Sequence, residues 1–197
     1  MTSLIEAPPL PDRLRTAWTA AHTPVAGVPR WARIAALTIP FAVLPTCVWR
    51  IAAVTFHLPI ARGDQGSGDI PAWLPMELYV VVLSILSELL AFAAVGLIAG
   101  WGEVFPRWIP GLRGRRIPVS AAVVPAALGA AVLTCMWTLA AITAPFGDDV
   151  HGGDGPLDYH HWEGVLAIIV YAPLLSWGPL LAAVTLAYYR RRIAGGQ

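Results

Sequence analysis

Along the chain, apolar runs long enough to cross a bilayer alternate with polar links rich in glycine and proline. Four runs are predicted as helices, at about 31–58, 73–100, 118–145 and 162–189. Each exceeds the roughly 20 residues needed to span a hydrocarbon core. Pro40 and Pro45 interrupt the first, and Pro173 and Pro179 the fourth. Kinks are expected there, because each proline removes a backbone donor. The third run is full of Ala and Gly, which favours close helix approach. The second differs in carrying two carboxylates, Glu77 and Glu88, eleven residues apart. At about 100° and 1.5 Å per residue they share one face within roughly 20° and lie about 16 Å apart along the axis. Ser84 stands one turn before Glu88 on that side.

The pattern predicts an all-α integral membrane four-helix bundle over 31–192, preceded by a tail at 1–30 and followed by a short tail at 193–197. Composition supports the class: 57% of residues are hydrophobic and 13% charged, with mean hydropathy +0.64, which excludes an ordinary soluble domain. The first 30 residues lack the apolar core of a signal peptide. A lipid bilayer, and not nucleic acid, is the expected partner. Cys47 and Cys135 lie inside apolar runs without a CxxC, so they read as small buried residues.

Charge sets an orientation. Arg13, Arg15, Arg30 and Arg33 precede or open the first span, Arg107, Arg113, Arg115 and Arg116 lie between the second and third, and Arg190, Arg191 and Arg192 close the fourth. The two other links hold one arginine, Arg62, and half of the acids. By the positive-inside rule both termini are expected in the cytoplasm of a bacterial inner membrane.

With the orientation set, side chains can be ranked by depth. Trp49 and Arg50, Trp137 and Tyr171 fall about 12–14 Å below the outer surface on three different helices, with Ser84 slightly deeper on the second. Glu77 lies above this layer, and Glu88 and Trp177 below it. Trp31, Trp73, Trp101, Trp108 and Trp162 fit the usual headgroup belt. Trp49, Trp137 and Trp177 do not, and either fill the bundle or wall a cavity whose π faces stabilise a cation. Arg50 either pairs with Glu77 or Glu88 to hold the helices in register or orients a carboxylate. One arginine does not neutralise two separated carboxylates, so one is expected to keep its proton and act as a general acid. The acidic link with Asp148, Asp149, Asp154, Asp158, His160 and His161 matches no tight ligand spacing, so no metal and no cofactor are expected.

Leu83-Ser84-Ile85-Leu86-Ser87-Glu88, the boundary Trp101-Gly102-Glu103-x-x-Pro106-Arg107-Trp108-x-Pro110, Gly114-Arg115-Arg116-x-Pro118, Trp49-Arg50 and the ending Trp177-Gly178-Pro179-Leu180 through Tyr188-Tyr189-Arg190 carry a resemblance. From about residue 35 the chain resembles a family of small four-span actinobacterial membrane proteins that includes the membrane-bound terpene cyclases of drimentine-type meroterpenoid pathways. The resemblance implies protonation-initiated cyclisation of a farnesyl chain carried on another scaffold, without a cofactor. Its motifs are specific for the family rather than the activity. The soluble terpene synthase signatures DDxxD and DxDD are missing.

On this reading Glu88 is the acid, Glu77 a terminal base or second acid, and Arg50 orients a carboxylate. Trp49, Ser84, Trp137, Tyr171 and Trp177 would bind a lipophilic prenylated substrate. Two alternatives stand beside it: a proton-linked or lipid-translocating carrier, which with four spans and no inverted repeat would need a dimer, and a non-catalytic assembly subunit whose charges serve helix registry alone. The oligomeric state is left open.

Overall fold

The computed structural model describes Val25 and residues 27–60, 73–103, 116–143 and 161–194. Most of the tail at 1–30, the arginines at 62, 107, 113 and 115, and the acidic link lie outside the described residues. Four long apolar helices form, as the hydropathy pattern predicts. The first span is α1 (Arg30–Arg50), which continues as a π-helical turn over Ile51–Thr55. The second is α2 (Met76–Gly96), followed by a 3₁₀ turn at Gly100–Gly102. The third is α3 (Val119–Thr143). The fourth is α4 (Trp162–Tyr171) and α5 (Leu174–Ala194), separated by a turn at Ala172 and Pro173.

The prolines act unequally. Helix α1 stays continuous through Pro40 and Pro45, and α5 through Pro179, whereas the fourth span breaks at Pro173. At the end of the first span the hydrogen bonding widens: the Phe56 amide donates to the Ile51 carbonyl at 3.2 Å, and the chain then turns at His57 with φ of 51°. Such widened turns cluster at functional sites. Here the turn follows directly on Trp49 and Arg50.

Burial is inverted relative to a soluble bundle. The inward positions are small, among them Ala32, Ala36, Ala91, Ala94 and Ala130, while Phe41, Val48, Leu89, Leu128 and Leu139 face outward. Lipid takes the place of a core for the large side chains, and small residues let backbones come together. Gly178 marks the tightest approach: a Cβ there would collide with the Thr134 backbone and hydroxyl across the α3–α5 contact. This is a multi-pass membrane protein.

The spans pack in the order two, one, four, three. Helix α2 lies on α1, α1 on α5, and α5 on α3, while the described parts of α2 and α3 scarcely approach each other. Four chain segments meet at the end of the bundle that carries Arg30, Gly96, Val119 and Ala194, referred to below as the basic end. There the Val25 amide donates to the Ile98 carbonyl at 3.0 Å and the Ile117 amide to the Glu103 carbonyl at 2.9 Å.

Candidate functional site

The last turn of α1, the middle of α2 and the junction of α4 with α5 meet halfway through the bundle. The Trp49 and Tyr171 rings are 5.6 Å apart edge to face, and Trp137 lies 6.1 Å from the other side of Tyr171. Three helices thus supply one aromatic layer, in keeping with depths counted along the chain. Against it sits a polar group built on α1 and α2. The Cys47 thiol reaches the Ser84 carbonyl at 3.4 Å, and an Arg50 amino group reaches the Cys47 sulfur at 3.8 Å. Glu88 and Arg50 both lie within electrostatic range of that sulfur.

Several polar atoms in and near this layer are unmatched by protein. The hydroxyls of Ser87, Thr134 and Thr185 each close on a carbonyl of their own helix four residues back, at 2.7 Å. Ser84, one turn before Glu88 and almost fully buried, does not. Glu88 is half-buried, and its Oε2 is enclosed without a hydrogen-bond partner. The same holds for Arg50 Nε and for the indole N–H groups of Trp49, Trp137 and Trp177. A buried polar atom left unmatched costs roughly 1–3 kcal/mol. Such atoms gathered at one level describe a place suited to a polar group or water.

Among the described residues, Arg50 makes no salt bridge with either carboxylate. Glu77 stands apart from the layer at the opposite end of α2. Its side chain is 48% exposed, and His57 Nε2 lies 3.9 Å from its Oε1. The structure therefore joins Trp49, Tyr171 and Trp137 through their rings and Arg50 to Ser84 through Cys47, places Glu88 one turn beyond Ser84 on α2, and leaves Glu77 outside this region.

Between α2 and α3, which the helix order holds apart, lies an apolar cleft of about 380 Å³. Leu90, Ala93 and Gly96 form one wall, Ala122, Ala126 and Gly129 the other, and Trp177 and Leu181 the floor. Trp177 is the one residue of the sequence-derived set that lines it. The cleft occupies the basic half of the bundle. Its upper wall begins two residues beyond Glu88 on α2 and ends at Leu133, one turn short of Trp137 on α3.

Three features escaped the sequence reading. Trp101 folds back over Gly96, stacks on Phe92 at 6.2 Å and borders the cleft. Gly96 and Gly102, bracketing it, were the available signal, since a Cβ on Gly102 would collide with the Gly96 carbonyl. Cys47 is part of the polar group rather than packing alone. Glu103, read as boundary sequence, binds Arg191 at 2.6 Å.

No protein-family model matches the chain, nor does any characterised protein or solved structure. Among the described residues no group of His, Cys, Asp or Glu is placed to hold a metal ion.

Proposed function

We propose that this protein is a membrane-embedded cyclase that closes a prenyl chain by proton transfer, with Glu88 as the acid. One observation carries the reading: Glu88, one turn beyond the buried Ser84, has an enclosed carboxyl oxygen without a hydrogen-bond partner, and among the described residues no guanidinium caps it. The motifs at 83–88 and 101–118 that resemble membrane-bound terpene cyclases point the same way.

The substrate is a lipophilic molecule that reaches the protein through the bilayer and lays its prenyl chain in the cleft between α2 and α3. Glu88 gives its proton to a terminal alkene carbon, leaving a tertiary carbocation. An internal alkene attacks that cation and forms the ring carbon–carbon bond. The Glu88 carboxylate then takes a proton from the adjacent carbon, so the net reaction is an isomerisation. Trp177 on the cleft floor offers a π face that favours the cation without supplying a nucleophile, and Trp49, Trp137 and Tyr171 form the aromatic layer beyond the cleft's end. Glu77 takes no part, being roughly 16 Å from Glu88 along the helix.

The basic end is assigned to the cytoplasm of a bacterial inner membrane, as the arginine distribution requires. Reporter fusions at residue 197 and within 144–160 test this, the first active only as a cytoplasmic reporter. The chemistry is tested with purified protein, a farnesylated indole and product analysis, wild type beside Glu88→Gln. Cyclised product from wild type and none from the variant is expected. Equal product from both sinks the assignment of Glu88, and vesicle flux without any product replaces the cyclase by a carrier.

A further inference from the structure

Arg191 and Arg192 end α5 beside one carboxylate. Arg191 Nη2 bonds Glu103 Oε1 at 2.6 Å and lies 3.4 Å from the Leu97 carbonyl, while Arg192 Nη2 donates to the Ile117 carbonyl at 2.9 Å. Arg192 Nη1 reaches the other Glu103 oxygen only at 3.9 Å. Both guanidinium groups lie over the Tyr188 ring, at 5.5 and 5.8 Å. The two cations are mostly buried, at 13% and 17% exposure, and share one acid. Arg191 Nη1, Arg192 Nε and Arg33 Nε, like the Tyr188 hydroxyl, are enclosed without a partner.

The charge at this end is lopsided. Among the described residues it carries Arg30, Arg33, Arg116, Arg190, Arg191 and Arg192 against Glu103. Arg30, Arg116 and Arg190 are exposed and solvated, whereas Arg33, Arg191 and Arg192 are partly buried and have among the described residues only Glu103 as an acid at this end. The excess donors instead suit a multivalent anion, since guanidinium matches phosphate oxygens in charge and geometry.

The apolar cleft ends at the same place. Leu97, Trp101 and Gly102 line it, Glu103 follows in sequence, and Arg191 touches the Leu97 carbonyl. The hydrocarbon slot therefore ends one residue away from the arginines: Leu97 lines it, and on its other side borders a small cavity with Tyr188 and Arg191. At about 380 Å³ the slot falls near the lower end of the roughly 300–1,000 Å³ that holds one small molecule. That fits a single chain better than the paired chains of a bilayer lipid.

We propose that Arg191 and Arg192 bind the phosphate or diphosphate head of a single-chain amphiphile whose apolar tail occupies the cleft between α2 and α3. The proposal shares with the cyclase reading only the use of the cleft as the tail's seat and does not involve Glu88. It adds a head-recognition site, and with it a charge requirement on the ligand.

The test uses the full chain in nanodiscs of zwitterionic lipid, with farnesyl diphosphate, farnesol and inorganic diphosphate as probes, read by tryptophan fluorescence and by radioligand retention. Farnesyl diphosphate is expected to bind at least tenfold more tightly than farnesol. Arg192→Gln is chosen because Arg192 holds Glu103 only loosely; it should erase that preference and leave farnesol binding unchanged. Gly129→Leu fills the cleft, since a Cβ there meets nothing nearer than Leu181 at 3.8 Å. It should weaken both prenyl probes and spare inorganic diphosphate. Equal affinity for farnesol and its diphosphate overturns the head site. So does an unchanged preference in a folded Arg192→Gln protein. Full displacement by phosphatidylglycerol, with farnesol left bound, would instead assign the arginines to a bilayer lipid. Glu88→Gln should bind all three probes like wild type, so a failed cyclase assay and a failed binding assay are separable.

Discussion

Helix α2 and the turn after it carry two half-buried acids, Glu88 and Glu103, whose neighbourhoods behave in opposite ways. At the basic end Glu103 is gripped at 2.6 Å by Arg191 and approached by Arg192, beneath carbonyl contacts that tie three chain segments together. Half a bundle away, Glu88 forms no salt bridge among the described residues, and Arg50, on the neighbouring helix, reaches the Cys47 sulfur instead. Charges inside a membrane normally find each other. Where the fold needs a clamp it makes one. Where it leaves an acid and a base unmatched among aromatic rings, the unmatched groups are the better place to look for chemistry.

That contrast can be broken in several ways. The largest effect is expected from Glu88→Gln, which should lower cyclisation about 10²–10⁴-fold, the usual worth of a positioned acid, without lowering thermal stability in detergent. A variant that unfolds instead would make Glu88 a second clamp. Glu103→Ala should do the reverse, removing about 3 kcal/mol of stability by leaving two arginines without their acid. Reversible unfolding in mixed detergent measures it, and a loss below 1 kcal/mol would mean the arginines hold nothing together. Gly178→Val should cost roughly 1–3 kcal/mol by forcing α3 from α5 at Thr134. It probes packing alone, and the same unfolding assay should show it weaker than Glu103→Ala. Ser84→Ala should leave stability the same or raise it by about 1 kcal/mol, because the hydroxyl has no protein partner to lose. A clear loss of stability would show that this hydroxyl is held after all. The smallest effect belongs to Glu77→Gln, within about 0.5 kcal/mol, as an exposed pair with His57 predicts.

Part of the site was legible because it depends on distance along helices. The rise per residue alone puts Trp49, Trp137 and Tyr171 at one level, and the rings meet there. The same counting put Glu77 on the face of Glu88, and on an isolated helix that is sound. It also set Glu77 above the aromatic layer and Glu88 below it; in the structure Glu77 lies near the end of α2 opposite the basic end, with half its side chain exposed, and its neighbour His57 is what the counting did not foresee. Cys47 went unread because an apolar run gives no sign that a thiol will bridge Arg50 and Ser84. Trp101 went unread because a boundary tryptophan folding inward depends on two glycines that only matter once the chain reverses on itself.

Hydropathy, helix length and the placing of arginines are properties of consecutive residues, and from them the sequence by itself determined four apolar spans, a basic end and the depth of each side chain. Partner choice is not local. It depends on the order in which helices stand and how each is rotated, and this is settled by where small residues let backbones touch, as at Gly178 against Thr134. Only the tertiary structure decided that α2 and α3 stand apart around a cleft, that Glu103 takes the arginines of α5, and that Glu88 is left without one.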